Sequence, residues 1–368
     1  MDYTSIFGEL TESIQARIDA ASRYGKRIFD NAIYPEYLSW DTPSVGLNFE
    51  ELLGRYNITV AAATVGDNSK EPELDTNGVS IIKNKVFNHA ISRPLTINEY
   101  RNVLALLDSK KLTDRQMKRE LTNILWGSVE EVVKSVQSKI DMIFLSALSN
   151  CGIFAFDETT NPEGGVRGEI DFNQPIHNMV TVNEVWDEDH IADIDPFSDI
   201  EELLNRAEEI VSVSKLLISP TKLGFLMRSP KMRQAVLGND HSSGPLTLNT
   251  INNFMESNGL PPFVKIRRKC RVRTSTGYNT ISPWKDANIV AVPEGKIGII
   301  KNAYSNNELR PEPGVSYSNY GRIRISEWGV GETQGMNGAE YTKAESLSLP
   351  VITAIEGIFT LKTDTKTE

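Results

Sequence analysis

What is scarce narrows the chain first. Two cysteines in 368 residues cannot build a disulfide scaffold, and no zinc-type spacing can be made from them. The four histidines, His89, His177, His190 and His241, form no HExxH pair, and none neighbours a cysteine. No run approaches the roughly 18 apolar residues of a membrane span. The opening MDYTSIFGEL lacks the basic flank and apolar core of a secretory signal. The expectation is a soluble protein made in the cytoplasm with no membrane partner. Positive charge is short too: 39 Lys+Arg stand against 49 Asp+Glu, a net −10. That argues against free nucleic-acid binding driven by counterion release. Catalytic signatures are equally sparse. There is no GxSxG elbow and no GxxxxGK[ST] phosphate loop. Ser212 to Lys215 matches SxxK without its companion elements, and Gly329, Gly331 and Gly335 miss the dinucleotide fingerprint by one residue. Neither a cofactor nor a metal is indicated, and the chain reads as a non-enzyme.

What is present is enough apolar residue, 39%, to bury a sizeable core. The charge is local. Glu184 to Glu209 holds 11 acids and one base, Arg206, while the rest balances at 38 acids and 38 bases. Asp187, Asp189, Asp193 and Asp195 raise a hard-cation site, but the glycine and terminal glutamate of a calcium loop are missing, so a solvated acidic connector is preferred. Ser198 with Glu201 has capping-box spacing for a helix that starts there. A basic counterpart, Lys265, Arg267, Arg268, Lys269, Arg271 and Arg273, reads as a strand with one basic face free for a partner or for DNA.

Along the chain, residues 1–30 form a polar arm with Phe7, Leu10, Ile14 and Ile18 at helical spacing. An aromatic and proline-rich stretch around Trp40 follows and must lie on something else. Residues 54–95 read as a long hairpin, with Tyr56, Ile58 and Val60 on one strand face and Asn77-Gly78 in a turn-rich centre. At about 3.3 Å per residue, 15 strand residues reach roughly 50 Å, so the hairpin projects and needs a neighbour. A long helix covers about Thr113 to Asn150. Leu121, Leu125, Val129, Val132, Val136, Ile140, Ile143 and Ala147 recur every three or four residues as one seam. Strand and turn around NPEGG come next. Then a helix (SDIEELLNRAEEIVS), a buried strand (KLLIS), one helix over SPTKLGFLMRSPKMRQAVL and another stopping at Gly259 precede an almost wholly β end.

This order of arm, hairpin, spine helix, α/β insertion and β-rich return resembles the major capsid proteins of tailed bacteriophages, the Hong Kong ninety-seven-type fold. It is most similar to the lambda-like capsid protein E family. The likeness is carried by DPFSDIEELLNRAEEI with KLLISPTKLGFLMRSPKMRQAVL, by the strand ending at Pro293, Gly295 and Gly298, and by the closing Leu349-Pro350 and final strand. The resemblance implies an α+β fold with an arm at 1–53, an extended loop at 54–95 and a peripheral domain at 96–191. It further implies an axial domain at 192–315 and a return to the peripheral domain at 316–368. It implies self-assembly in hexamers and pentamers into a virion shell built in the host cytoplasm around double-stranded DNA. A separate scaffolding protein, a portal and a decoration protein are the implied partners. Tyr56, Ile58, Val60, Asp67, Lys70, Glu71 and Trp40 are the candidate inter-subunit contacts. Lys70 is also the tempting lysine for a covalent Lys–Asn link, although a solvated turn lysine is the preferred reading. An encapsulin-like nanocompartment and a metal-dependent enzyme using the acidic tract are the alternatives.

Overall fold

The apolar seam folds as the sequence demands. In the computed structural model, which describes residues 11–23, 32–53, 80–95, 97–107, 113–238, 246–330 and 339–366, it lies on a single 36-residue helix, Asp114–Ser149. At about 1.5 Å per residue that rod is roughly 54 Å long. All eight seam residues are buried. Gly127 sits on the exposed side of the same rod.

In chain order the first elements are α1 (Thr11–Arg23), α2 (Tyr34–Tyr37), β1 (Leu38–Trp40), β2 (Asn48–Leu53), β3 (Ser80–Lys85), β4 (Phe87–Pro94), α3 (Ile97–Leu107) and the long helix α4. There follow β5 (Ile153–Phe156), β6 (Gly168–Asp171), β7 (Met179–Val182), α5 (Pro196–Glu208), β8 (Val213–Ile218), α6 (Pro220–Arg228), α7 (Pro230–Leu237), α8 (Leu248–Ser257) and β9 (Phe263–Lys265). The β-rich remainder comprises β10 (Cys270–Thr274), β11 (Gly277–Ile281), β12 (Asn288–Pro293), β13 (Gly298–Ala303), α9 (Asn306–Leu309), β14 (Ser316–Tyr320), β15 (Ile323–Val330), β16 (Ala339–Val351) and β17 (Phe359–Lys366).

The chain divides into two compact units. The first comprises Met1–Phe49, Asn84–Asp141 and Ile300–Pro350, and the second Glu50–Lys83, Met142–Ile299 and Val351–Glu368. In the first, a six-stranded sheet runs β1-β13-β16-β15-β14, with β4 also on β16. β16 is the organiser, antiparallel both to β15, where Glu327 faces Thr342, and to β4, where Arg93 faces the same Thr342. Arg93 donates to Ser128 of α4 (2.6 Å) and pairs with Glu99 of α3 (2.9 Å) and Glu131 of α4 (2.6 Å). One guanidinium fork thus joins the sheet to both helices.

In the second unit a mixed sheet runs β7-β17-β12-β8-β9. Every residue of β12 is buried. Continuous burial makes the run from Ile289 to Pro293 apolar rather than alternating, and its one polar residue, Asn288, donates to the Ser149 carbonyl (2.7 Å). Helices α5 to α8 share the core with this sheet, around the fully buried Trp186, Ile200, Leu203, Leu226 and Met255. The expected NPEGG turn closes the antiparallel pair β5–β6.

Three local expectations need correction. SPTKLGFLMRSPKMRQAVL is two helices, α6 and α7, not one. Pro230 has no N–H and bars its predecessor from helical geometry; Ser229 is accordingly extended (φ −55°, ψ 125°), ending α6 and capping α7 by accepting from Met232 N–H (3.4 Å). Helix α5 begins earlier than the Ser198–Glu201 spacing implies. Its cap is Asp195, which accepts from the Ser198 N–H (3.3 Å), with Pro196 at the first position. The basic stretch is not one strand. Residues 266–269 are irregular, and β9 and β10 belong to different sheets.

Candidate assembly site

The candidate site is the set of surfaces that fix or present the arm, the hairpin base and the charged tracts. The arm is held in two places. On α1, Ile14 and Ile18 are buried, as their i, i+4 spacing requires. Between them Gln15 mimics a strand: its Nε2 donates to the Asn319 carbonyl (3.2 Å) and its Oε1 accepts from the Asn319 N–H (2.8 Å). Both backbone groups belong to β14, the terminal strand in the sheet order. The side-chain amide thus covers part of an edge.

The second anchor is Asp141 of α4, fully buried. Its carboxylate accepts from the Ile33 N–H (2.9 and 3.1 Å) and the Tyr34 N–H (2.8 Å). These are amide donors at the start of α2, which a helix cannot satisfy internally, and negative charge suits that end. Tyr34 then packs edge-on against Trp40 (6.2 Å, 89°). Trp40, one of the candidate inter-subunit contacts, is half-buried at the end of β1. After it Asp41 pairs with Lys301 (2.6 Å), whose hydrogen bond holds that carboxyl below the usual carboxylate range.

β2 and β3 pair at the base of the expected hairpin. Lys83 bridges Glu50 across it (2.9 Å). The remaining hairpin candidates, Tyr56, Ile58, Val60, Asp67, Lys70 and Glu71, lie outside the described residues, as does His241.

The basic residues do not form one stripe. Lys265, at the end of β9, and Arg268 are half-buried, while Arg267, Lys269, Arg271 and Arg273 are exposed. Arg271 and Arg273 share one face of β10 at i, i+2. Arg273 reaches Glu163 (3.4 Å).

About half of the acidic tract finds partners within the fold, while Asp189, Asp193, Glu201, Glu208 and Glu209 are exposed. Asp187 accepts from the His190 backbone N–H (2.9 Å) and meets its ring (2.7 Å), which lowers the aspartate pKa and raises that of the histidine. Glu188 takes both arms of Arg228, Glu184 takes Lys366, and Asp195 caps α5. Asp199 is buried and accepts from Trp186 Nε1 (2.9 Å); desolvation raises its pKa despite that bond. Among the described residues, no group of three His, Cys, Asp or Glu could hold a metal ion. Nor is any described helix long and apolar enough to cross a membrane.

Residue-by-residue reading passed over Asp141, a buried carboxylate pair (Glu327 and Glu340) and an arginine-lined pocket between α1 and α4. The one sequence signal for Asp141 is an acid beside the apolar seam. For the pocket it is Arg115 and Arg119 at i, i+4.

With this geometry in place, comparison with solved structures defines the fold. The chain matches a prophage protein of Escherichia coli CFT073 described as a candidate capsid protein, at TM-score 0.56 and 12% identity over 95% of this chain and 98% of that one. It also matches a phage-related protein of Bordetella bronchiseptica RB50, at TM-score 0.52 and 11% identity over 95% and 96%. The fold is therefore the α+β phage-capsid fold that the order of elements resembled. No family model and no curated protein matches the chain.

Proposed function

We propose that this chain is the major capsid protein of a tailed bacteriophage, assembling with copies of itself into the icosahedral head shell that encloses double-stranded DNA. One observation carries the reading: the fold match covers 95% of this chain and 98% of the prophage protein. In this role the arm and the 54–95 loop are the elements shared with neighbours, with Trp40, Tyr56, Ile58, Val60, Asp67, Lys70 and Glu71 as contacts. Residues 192–315 would form the axial body around the capsomer symmetry axes. Stability then accrues with assembly, because neighbours complete what each subunit leaves open. The role is structural, not catalytic, and its place is the virion after assembly in the host cytoplasm. A separate scaffolding protein, a portal and a decoration protein complete the head. The finer kinship proposed is with the lambda-like capsid protein E family.

Co-expression with the scaffold encoded beside it is expected to give closed shells by negative-stain microscopy. Protein that stays monomeric and protease-sensitive in every such combination would refute the reading. Shells that instead enclose a neighbouring enzyme would reassign it to a nanocompartment.

A further inference from the structure

Among the described residues, one cluster of positive charge has no carboxylate paired with it. α1 and the first turns of α4 flank an open pocket of about 420 Å³, lined by Ser13, Arg17, Arg115, Arg119, Thr122 and Asn123. Three of the six side chains are guanidinium groups, and none is acidic. Arg17 is pre-set: it donates to Asn123 Oδ1 (3.3 Å) and lies over the Trp126 ring, 4.2 Å from its centroid. Arg115 and Arg119 are exposed, and neither makes an ion pair among the described residues. At i, i+4 on one helix face they repel each other. On α1, Asp19 accepts from Gln15 (2.8 Å). A fold that answers Arg93, Arg228 and Lys301 with carboxylates leaves these three arginines facing solvent together.

We propose that this pocket binds the phosphodiester backbone of duplex DNA, three guanidinium forks taking phosphate oxygens and the Ser13 hydroxyl adding a neutral donor. The pocket is too large and open for one caged ion and of a size for a sugar-phosphate segment. Single-stranded nucleic acid is a poorer fit, because such sites offer aromatic faces for base stacking. The aromatic beside this pocket, Trp126, is buried and covered by Arg17. The choice of duplex DNA over other phosphates rests on the shell reading. The contact carries no sequence information, and the chain's net −10 keeps it weak.

The test is fluorescence anisotropy of the full chain with a 30-base-pair duplex of scrambled sequence, titrated at 50 and 200 mM salt. At about −0.9 per phosphate contact, three contacts predict roughly 40-fold weaker binding at the higher salt, and one remaining contact roughly 3- to 4-fold. R115Q/R119Q is expected to flatten the salt dependence accordingly, with an unchanged urea midpoint, and R271Q/R273Q to leave it as in the wild type. A salt slope that falls with R271Q/R273Q and not with R115Q/R119Q would overturn the site. At constant ionic strength, displacement by polyglutamate or by inorganic phosphate as complete as by unlabelled duplex would overturn the ligand. Shell formation, read separately by microscopy, keeps the two proposals apart: binding without shells refutes the capsid role alone, and shells without binding refute this site alone.

Discussion

Replacing Asp141 should loosen the arm more than any surface change of equal size. Its carboxylate accepts two backbone N–H groups, from Ile33 and Tyr34, in a fully buried position. Hydrogen bonds to a charged group contribute about 1.5–3 kcal/mol each, and an orphaned buried donor costs about 1–3 kcal/mol. Asp141→Ala removes the acceptor from both donors, so a loss of about 3–5 kcal/mol is expected. Asp141→Asn keeps one acceptor oxygen and the volume but not the charge, so about 1–2 kcal/mol is expected. Urea unfolding of the isolated subunit measures the global effect. Amide hydrogen exchange at Ile33 and Tyr34 measures the local one, with protection falling by about two to four powers of ten for the alanine variant. A midpoint within about 0.5 kcal/mol of wild type, with both amides still protected, would refute the anchoring role. So would an asparagine variant weaker than the alanine one.

Two further predictions concern the first unit. Gly127 is exposed in the middle of α4 and a Cβ there meets nothing within 4 Å, so Gly127→Ala should stabilise the subunit by about 0.5–1 kcal/mol in thermal unfolding. Destabilisation would mean that the backbone there is not plain helix. Glu327 lies diagonally across the β15–β16 pair from Glu340, and burial, then that like charge, push its carboxyl up to about 8. Because the folded state holds the proton more tightly, stability is full below the unfolded value near 4.5 and declines as pH rises to about 8. The decline approaches but does not exceed about 1.4 kcal/mol per pH unit. Glu327→Gln should flatten that slope in urea titrations run from pH 5 to 8.5, and an unchanged slope would exclude Glu327 as its source.

Much of the fold was legible because its elements advertise local periodicity. The α4 seam is read within one helix, and its observed span, Asp114–Ser149, falls within a residue of the expected one at each end. Ser219-Pro220 marked the start of α6 as a cap followed by proline, and Ser219 accepts there from the Lys222 N–H (3.1 Å). Where local signals competed, the weaker one was misread. Asp195-Pro196 outranks Ser198–Glu201 as a helix start, and Ser229-Pro230 divides what its apolar residues alone would join. The basic stretch failed for another reason. Its apolar residues suit a strand, but Leu216 to Ile218 pair with Phe263 to Lys265, and Cys270 to Thr274 pair with the partner strand β11. That division depends on pairing partners, which local alternation does not specify.

By itself the sequence determined composition, a charge balance dominated by one acidic tract, the long helix and the order of elements, because each is a property of neighbours along the chain. Tertiary structure alone decided what those charges do. It set four of the eleven acids in the acidic tract against His190, Arg228, Lys366 and the α5 cap, and buried a fifth, Asp199, beside Trp186. It brought Asp141 to amides 108 and 107 residues away, and it set Arg17 beside Arg115 and Arg119. A charged side chain's role depends on which partner folding delivers within hydrogen-bond reach, and no spacing along the chain records that distance.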